Sequence, residues 1–227
     1  MQPDPDRRER WRLFIAITAP EAVKAELERA QAELRRALPD ARIAWTRREQ
    51  FHLTLKFLGD VPAERAESLA DALRAVGRGF GALDLCAEGV GCFPDLRFPR
   101  VLWAGVGEEQ APLPPAEAVA PSDSSDGSEL SERPDPSEGR LARLQRAIEA
   151  AAAEFTLEKG QERFSGHVTL ARIKSLRRPE AQTLARLAQG MARRSFGQWR
   201  AESVELMRSE LSSQGARHTL LACLPLK

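Results

Sequence analysis

The four-residue pattern His-x-Thr-Leu occurs twice in this chain, and it constrains the fold more than any other feature. The first copy runs from His52 to Leu55 and the second from His167 to Leu170. Around the first copy, in FHLTLKF (51–57), apolar and polar residues alternate strictly. A period of two predicts a β-strand with its apolar side chains on one face. The sequence therefore predicts two strands, each presenting a histidine and a threonine opposite its buried face.

These polar faces point to acid–base chemistry on a phosphodiester. Alternation places His52, Thr54 and Lys56 on one face of the first strand, and His167 and Thr169 on one face of the second. A neutral imidazole can take a proton from water while a charged one protonates the departing alkoxide. Threonine hydroxyls can donate hydrogen bonds to the non-bridging oxygens. Either motif alone is more typical of a solvated strand surface, but two copies in a chain with three histidines favour catalysis.

Periodicity and turn residues predict the other elements. Expected helices cover 20–38 and 141–155 and begin at Pro62 and Pro179, and expected strands lie at 11–19, 41–46, 51–58, 80–90, 100–106, 164–173, 198–207 and 217–224. Many strands with few helices favour an α+β fold with antiparallel sheets. We expect one domain over 11–227, built as two similar lobes facing each other, after a flexible segment at 1–10.

Composition changes abruptly at residue 108. From there to residue 139 the chain is rich in proline, serine and acidic residues and has almost no large apolar side chain. Such a segment cannot bury enough surface to offset the entropy of ordering. The sequence predicts a disordered surface insertion at 108–139, with a docking arm as the alternative.

Net charge and cysteine usage limit the kinds of partner and the cellular compartment that the sequence predicts. The net charge of +1 gives no evidence for a nucleic-acid partner. Cys86, Cys92 and Cys223 lack the spacing of a disulfide framework or a zinc knuckle, which favours a reduced compartment. The polar N-terminus and the lack of a long apolar run predict a cytoplasmic protein that does not cross a membrane.

A zinc site is the main chemical alternative to paired histidines. Zinc prefers three or four ligands from histidine, cysteine and carboxylate side chains. Each motif supplies one histidine and no acidic residue, and His218 is the conceivable third ligand. The sequence therefore favours a site with no metal and no cofactor.

Several blocks carry a resemblance to a known group of proteins: LFIAI (13–17), FHLTLKFLGDV (51–61), GVGCFPDLRFPRVLWAGV (89–106) and HVTLARIK (167–174). They resemble the two-histidine phosphoesterase superfamily, and within it the bacterial and archaeal RNA 2′,3′-cyclic phosphodiesterases, historically called 2′-5′ RNA ligases. The resemblance covers nearly the whole chain except the insertion. It implies a bilobal, pseudo-symmetric fold with the active site in a water-filled cleft between the lobes. It also implies a metal-independent enzyme acting on RNA ends such as those of tRNA fragments, or on small cyclic nucleotides.

The resemblance also assigns roles. It makes His52 the proton donor to the leaving 3′ oxygen and His167 the acceptor that activates water, leaving the phosphate on the 2′ oxygen. The residues alone leave that direction open, because the motifs are nearly symmetric. Thr54, Thr169, Lys56 and Arg172 are the expected phosphate contacts. Arg172 lies five residues after the histidine, so an unbroken strand would turn it away from the site, and a bulge or the end of the strand could bring it back.

Two positions depart from the family pattern, and two other functions remain open. Gly166 stands where proline usually precedes the second histidine, and His218 stands where tyrosine is common. The same site could also join 2′-5′ linked RNA halves reversibly, or bind RNA or nucleotides without turnover. We expect a monomer in each case.

Overall fold

The computed structural model describes residues 9–108, 139–158, 164–212 and 215–227. In these ranges the strands are β1 (Arg10–Thr18), β2 (Arg42–Trp45), β3 (His52–Pro62), β4 (Leu83–Phe93), β5 (Val101–Glu108), β6 (His167–Ser175), β7 (Ser195–Ala201), β8 (Ser203–Ser212) and β9 (Gly215–Pro225). The helices are α1 (Glu21–Ala37), α2 (Ala66–Gly77), α3 (Arg140–Ala152) and α4 (Arg178–Gly190), with short 3-10 turns at Arg48–Gln50, Ala63–Arg65 and Ala153–Phe155. The α+β class expected from the sequence is confirmed.

All strand pairs are antiparallel, and the sheet order is β7-β4-β5-β6-β3-β1-β8-β9, with β2 added beside β6. The two motif strands, β3 and β6, stand at the centre. They pair only at Leu53 and Val168, whereas each pairs extensively with its outer neighbour, β1 or β5. The sheet therefore divides into two lobes, β3-β1-β8-β9 and β6-β5-β4-β7, arranged alike about that contact.

The lobes are not consecutive halves of the chain. Helices α2 and α3 pack on the lobe that holds β3, whereas α1 and α4 pack on the lobe that holds β6. Strand β2 comes from the first half and pairs with β6, and β8 and β9 come from the second half and extend the lobe of β1. Each lobe thus draws elements from both halves, which ties the two together.

Two boundaries differ from the sequence-based expectation. The strand expected at 198–207 is two strands, because β7, which pairs with β4, ends at Ala201, and β8, which begins at Ser203, pairs with β1 in the other lobe from Glu205 onward. The segment expected to be flexible at 1–10 includes Arg10, which already belongs to β1 and pairs with Pro62. Residues 1–8, and all of the predicted insertion except its two end residues, lie outside the described residues.

The helices form because their apolar residues recur every three or four positions. In α1 the buried residues include Val23, Leu27, Ala30 and Leu34, which share one face and cover the sheet. One continuous apolar core runs through both lobes. None of the helices in the described part of the chain is both long and apolar enough to cross a bilayer.

Glu108 ends β5 and caps the first turn of α3. Its carboxylate accepts hydrogen bonds from the backbone N–H of Arg140 at 3.0 Å and of Leu141 at 2.6 Å. A carboxylate here satisfies two N–H groups without a partner in the helix and also interacts favourably with the helix dipole.

We expect Glu108→Ala to lower the free energy of unfolding by about 1 kcal/mol, the usual effect of losing an N-terminal cap. Urea unfolding measures it, with Glu154→Ala, at an exposed carboxylate, as the matched control. Equal midpoints for the two variants would contradict the capping role.

Candidate active site

The two motif strands bring their polar faces into one cleft. Leu53 and Val168, which pair across the junction, are 1% and 0% exposed, so the opposite faces of their strands turn outward together. A cavity of about 570 Å³ opens there, and its lining includes His52, Thr54 and Thr169. His167 lies two residues before Thr169, and it is close enough for its charge to act on His52. The structure therefore brings the two motifs to the same cleft, with His167 close to His52.

The two histidines are held in the same way. The Nδ1 atom of His167 lies 2.7 Å from the carbonyl oxygen of Ser165, two residues earlier. The His52 ring likewise forms a hydrogen bond to the backbone of Gln50, also two residues earlier. A carbonyl oxygen can only accept, so the His167 bond places a proton on Nδ1 and leaves Nε2 for other chemistry.

Burial holds both motif histidines neutral in the free protein. It lowers the pKa of His52 to about 4, assisted by the nearby His218 and opposed by the hydrogen bond to Gln50. Burial also lowers the pKa of His167, again opposed by a backbone hydrogen bond and assisted by the charge of Arg172. An anion bound in the cleft would reverse these effects, because a negative charge stabilises the protonated ring.

A β-bulge interrupts each motif strand at the same distance from its histidine. In β3, Thr54 pairs with Ala16 but Lys56 pairs with Ile15, so Leu55 has no partner residue in β1. In β6, Leu170 is left over in the same way opposite β5. Each bulge puts two consecutive side chains into the core and returns the fifth residue after the histidine to the cleft.

The bulge in β3 also changes the position of Lys56. Alternation places it beside His52, but the bulge turns it into the core, where it is 5% exposed. Its ammonium lies 2.5 Å from a carboxylate oxygen of Glu149 and donates to the carbonyl oxygen of Glu158 at 3.1 Å. Lys56 joins β3 to α3 and to the segment after it, and the expected phosphate contact is wrong.

Arg172 and Phe57 occupy the equivalent positions in the two motifs. Of the two possibilities for returning Arg172 to the site, a bulge or a strand end, the bulge is present, and the Arg172 side chain lines the cleft. Phe57, expected in the core, lines the cleft instead with 55% of its surface exposed, and its ring centroid is 6.2 Å from that of Phe14. Sequence reasoning missed Phe57. Its spacing from His52, identical to that of Arg172 from His167, is the signal that could have revealed it.

The two departures from the family pattern have different consequences. A Cβ atom on Gly166 would lie 2.3 Å from the carbonyl oxygen of Val106, so the close approach of β5 explains glycine there. His218 lines the cleft beside His52. No cluster of three or more histidine, cysteine, aspartate and glutamate side chains suited to a metal ion occurs among the described residues.

We expect Lys56→Met to lower the free energy of unfolding by about 1–3 kcal/mol, because it leaves the partly buried carboxylate of Glu149 without its cation. The exposed Lys174 of β6 supplies the control: Lys174→Met should stay within about 0.5 kcal/mol of the parent. Urea unfolding compares the two, and equal stabilities would show that Lys56 is not a structural cation.

Comparison with known proteins places the chain. The sequence model described as LigT like Phosphoesterase matches residues 17–103 and 133–218. A protein of Methanothermobacter thermautotrophicus named RNA 2′,3′-cyclic phosphodiesterase is 27% identical over 208 residues, covering 92% of this chain and 95% of its own length. One of the same name from Thermus thermophilus is 30% identical over 225 residues, covering 92% and 87%.

Solved structures agree with this placement. The crystal structure of TT0787 of Thermus thermophilus superposes with a TM-score of 0.68 at 26% identity, covering 95% of this chain and 97% of that one. Escherichia coli LigT complexed with 3′-AMP gives a TM-score of 0.65 at 21% identity, covering 96% and 99%. The two-lobed fold expected from the sequence is therefore confirmed.

Proposed function

The chain belongs to the LigT-like phosphoesterase family, and on that premise we propose that it hydrolyses the 2′,3′-cyclic phosphate at RNA ends to a 2′-phosphomonoester. The observation that carries the proposal is the junction of β3 and β6, which brings His52, Thr54 and Thr169 into the lining of one cleft, with His167 close enough for its charge to act on His52. The relatives named RNA 2′,3′-cyclic phosphodiesterase span most of the chain and match the enzyme class expected from the sequence.

The reaction is an in-line displacement at phosphorus. His167 takes a proton from water, whose oxygen forms the new bond to phosphorus. The bond from phosphorus to the 3′ oxygen breaks, and His52 gives that oxygen its proton. The hydroxyls of Thr54 and Thr169 donate to the non-bridging oxygens, where negative charge accumulates in the transition state. The phosphate then remains on the 2′ oxygen.

The substrate itself supplies the charge that this cycle needs. A general acid must be protonated, yet burial holds the pKa of His52 at about 4 in the free protein. A cyclic phosphate carries one negative charge, which raises the pKa of a nearby imidazole. Arg172 lines the same cavity and favours the anion. Binding and proton loading are thus coupled, which restricts the acid form of His52 to the complex.

The dimensions and lining of the cleft suit the end of a strand. A cavity of about 570 Å³ holds a nucleotide-sized ligand rather than folded RNA. The exposed ring of Phe57, backed by Phe14, offers an apolar surface to a base or a ribose. Ends of tRNA fragments and small cyclic nucleotides both meet this requirement. A cytoplasmic location and a monomeric state remain predictions from the sequence.

His52→Ala and His167→Ala should each lower kcat by about 10²–10⁴-fold, the range attributed to general acid–base catalysis. Adenosine 2′,3′-cyclic phosphate is the probe, and chromatography separates the 2′- from the 3′-monophosphate. Turnover should be insensitive to EDTA. Thermal unfolding controls for folding, and Arg217→Gln on the exposed side of β9 serves as an active reference.

Three outcomes would overturn this scheme: full activity in either variant, loss of activity in EDTA with rescue by zinc, or a 3′-phosphate product. Binding of the nucleotide without any product would instead favour a silent binding module. Incubation of two RNA halves, one with a cyclic phosphate and one with a 5′-hydroxyl, detects joining by the same site.

A substrate with an acidic leaving group separates the two histidine roles. Nitrophenolate leaves without being protonated, so a nitrophenyl phosphodiester does not need the general acid. We expect the loss of kcat/KM in His52→Ala, relative to the parent, to be at least about tenfold smaller on this substrate than on the cyclic phosphate, as loss of a general acid implies. The loss in His167→Ala should be the same on both substrates. The opposite pattern, measured as kcat/KM for both substrates, would exchange the two roles.

A further inference from the structure

A third imidazole lies directly against His52, and the reaction above makes no use of it. The ring centroid of His218 is 5.4 Å from that of His52, with the rings nearly perpendicular at 71°. Phe14 completes a triangle, since its centroid is 5.0 Å from His52 and 4.9 Å from His218. Strand β9 therefore places a titratable ring in contact with the ring of the proposed proton donor.

The same strand also secures the backbone that anchors His52. The carbonyl oxygen of Ala216, two residues before His218, accepts a hydrogen bond from the Gln50 side chain at 2.6 Å and one from Arg47 at 2.7 Å. Gln50 is the residue whose backbone bonds to the His52 ring. β9 thus contacts His52 by two routes, through the ring of His218 and through the turn at Gln50.

The charged groups that shift the pKa of these two rings are all cations or imidazoles. The groups that act on His52 are His218 of β9, His167 of β6 and Lys24 of α1, and each disfavours a proton on it. Arg47 acts likewise on His218. Two carboxylates are also nearby: Glu158 lines the same cleft, and Glu205 accepts a hydrogen bond from the backbone N–H of Thr18, which pairs with His52. Two imidazoles in contact cannot both become charged cheaply. The charge state of His218 must therefore influence that of His52.

We propose that His218 is a positioning residue for His52: its ring fixes the orientation of the donor imidazole, and its capacity for charge adds to burial in opposing a proton on that imidazole until a substrate phosphate is bound. This inference rests on the proposed function where it concerns turnover. The mutual influence of the two rings in the free protein does not depend on it.

The decisive variant is His218→Phe, which retains a flat ring against Phe14 but cannot carry a charge. With three histidines in the chain, NMR resolves each imidazole, and variants of the other two assign the signals. In the free protein we expect the pKa of His52 to move upward from about 4, because the opposing charge is gone. The limb of the pH–rate profile on which the donor loses its proton should move to higher pH in the same direction.

His218→Ala tests the positioning role separately. It removes the ring as well as the charge, so His52 gains freedom to rotate. We expect kcat to fall by about tenfold or more, since small misplacements of a catalytic group have effects of this size, while KM changes little. Arg217→Gln, the exposed neighbour on β9, controls for a change of charge on the strand and should leave both the His52 titration and kcat unchanged.

The outcomes separate the two proposals. If His218→Phe leaves both the pKa of His52 and the pH–rate profile as they are in the parent, the inference about His218 is wrong and the proposed function stands. If the parent protein opens no cyclic phosphate but the titration of His52 still moves, the proposed function fails and the coupling of the rings stands. Should His218→Phe not fold, His218→Gln, which also removes the charge, is read in the same way.

Discussion

The single paired position between β3 and β6, Leu53 against Val168, is the contact on which the rest of the molecule depends. Both side chains are almost fully buried, so the opposite faces of their strands have to turn away from the core. Because the strands are neighbours only there, the two lobes diverge on either side of the contact and leave a cleft between them. The core contact and the functional cleft are thus two faces of the same pair of strands.

Burial of the cleft has a chemical consequence. Desolvation lowers the pKa of His52 and of His167, and the hydrogen bond from each ring to a backbone carbonyl opposes that effect only in part. Both imidazoles are therefore neutral in the free protein near neutral pH, and an anion bound beside them would stabilise a protonated ring. Burial on its own would keep an imidazole from acting as a general acid. It suits a histidine whose protonated form is stabilised by a bound anion.

Interleaving of the chain decides what surrounds each histidine. His52 belongs to the first half of the chain, yet His218 and its strand come from the far C-terminus and pack beside it. His167 instead has the rings of Phe93 and Trp103 near it, at centroid distances of 5.0 and 6.4 Å. Two motifs that are almost identical in sequence thus sit in different surroundings, which gives a physical basis for unequal roles.

The sequence by itself determined that His52 and Thr54 share a face, and likewise His167 and Thr169, because neighbouring side chains in a strand alternate for local steric reasons. It also indicated the α+β class and most elements, since these depend on short-range periodicity. Only the tertiary structure decided that Lys56 enters the core while Phe57 and Arg172 enter the cleft. A bulge arises from the pairing with a neighbouring strand and has no signature in alternation.

Pairing also decided the division between Ala201 and Ser203, where the partner strand changes lobe. The pKa of His52 and its contact with His218 were likewise decided only by the tertiary structure. Both depend on which distant residues exclude water from the ring, and burial of that kind is a property of the folded chain. The candidate catalytic residues could be predicted from four-residue motifs, whereas their pKa values and neighbours depend on the whole fold.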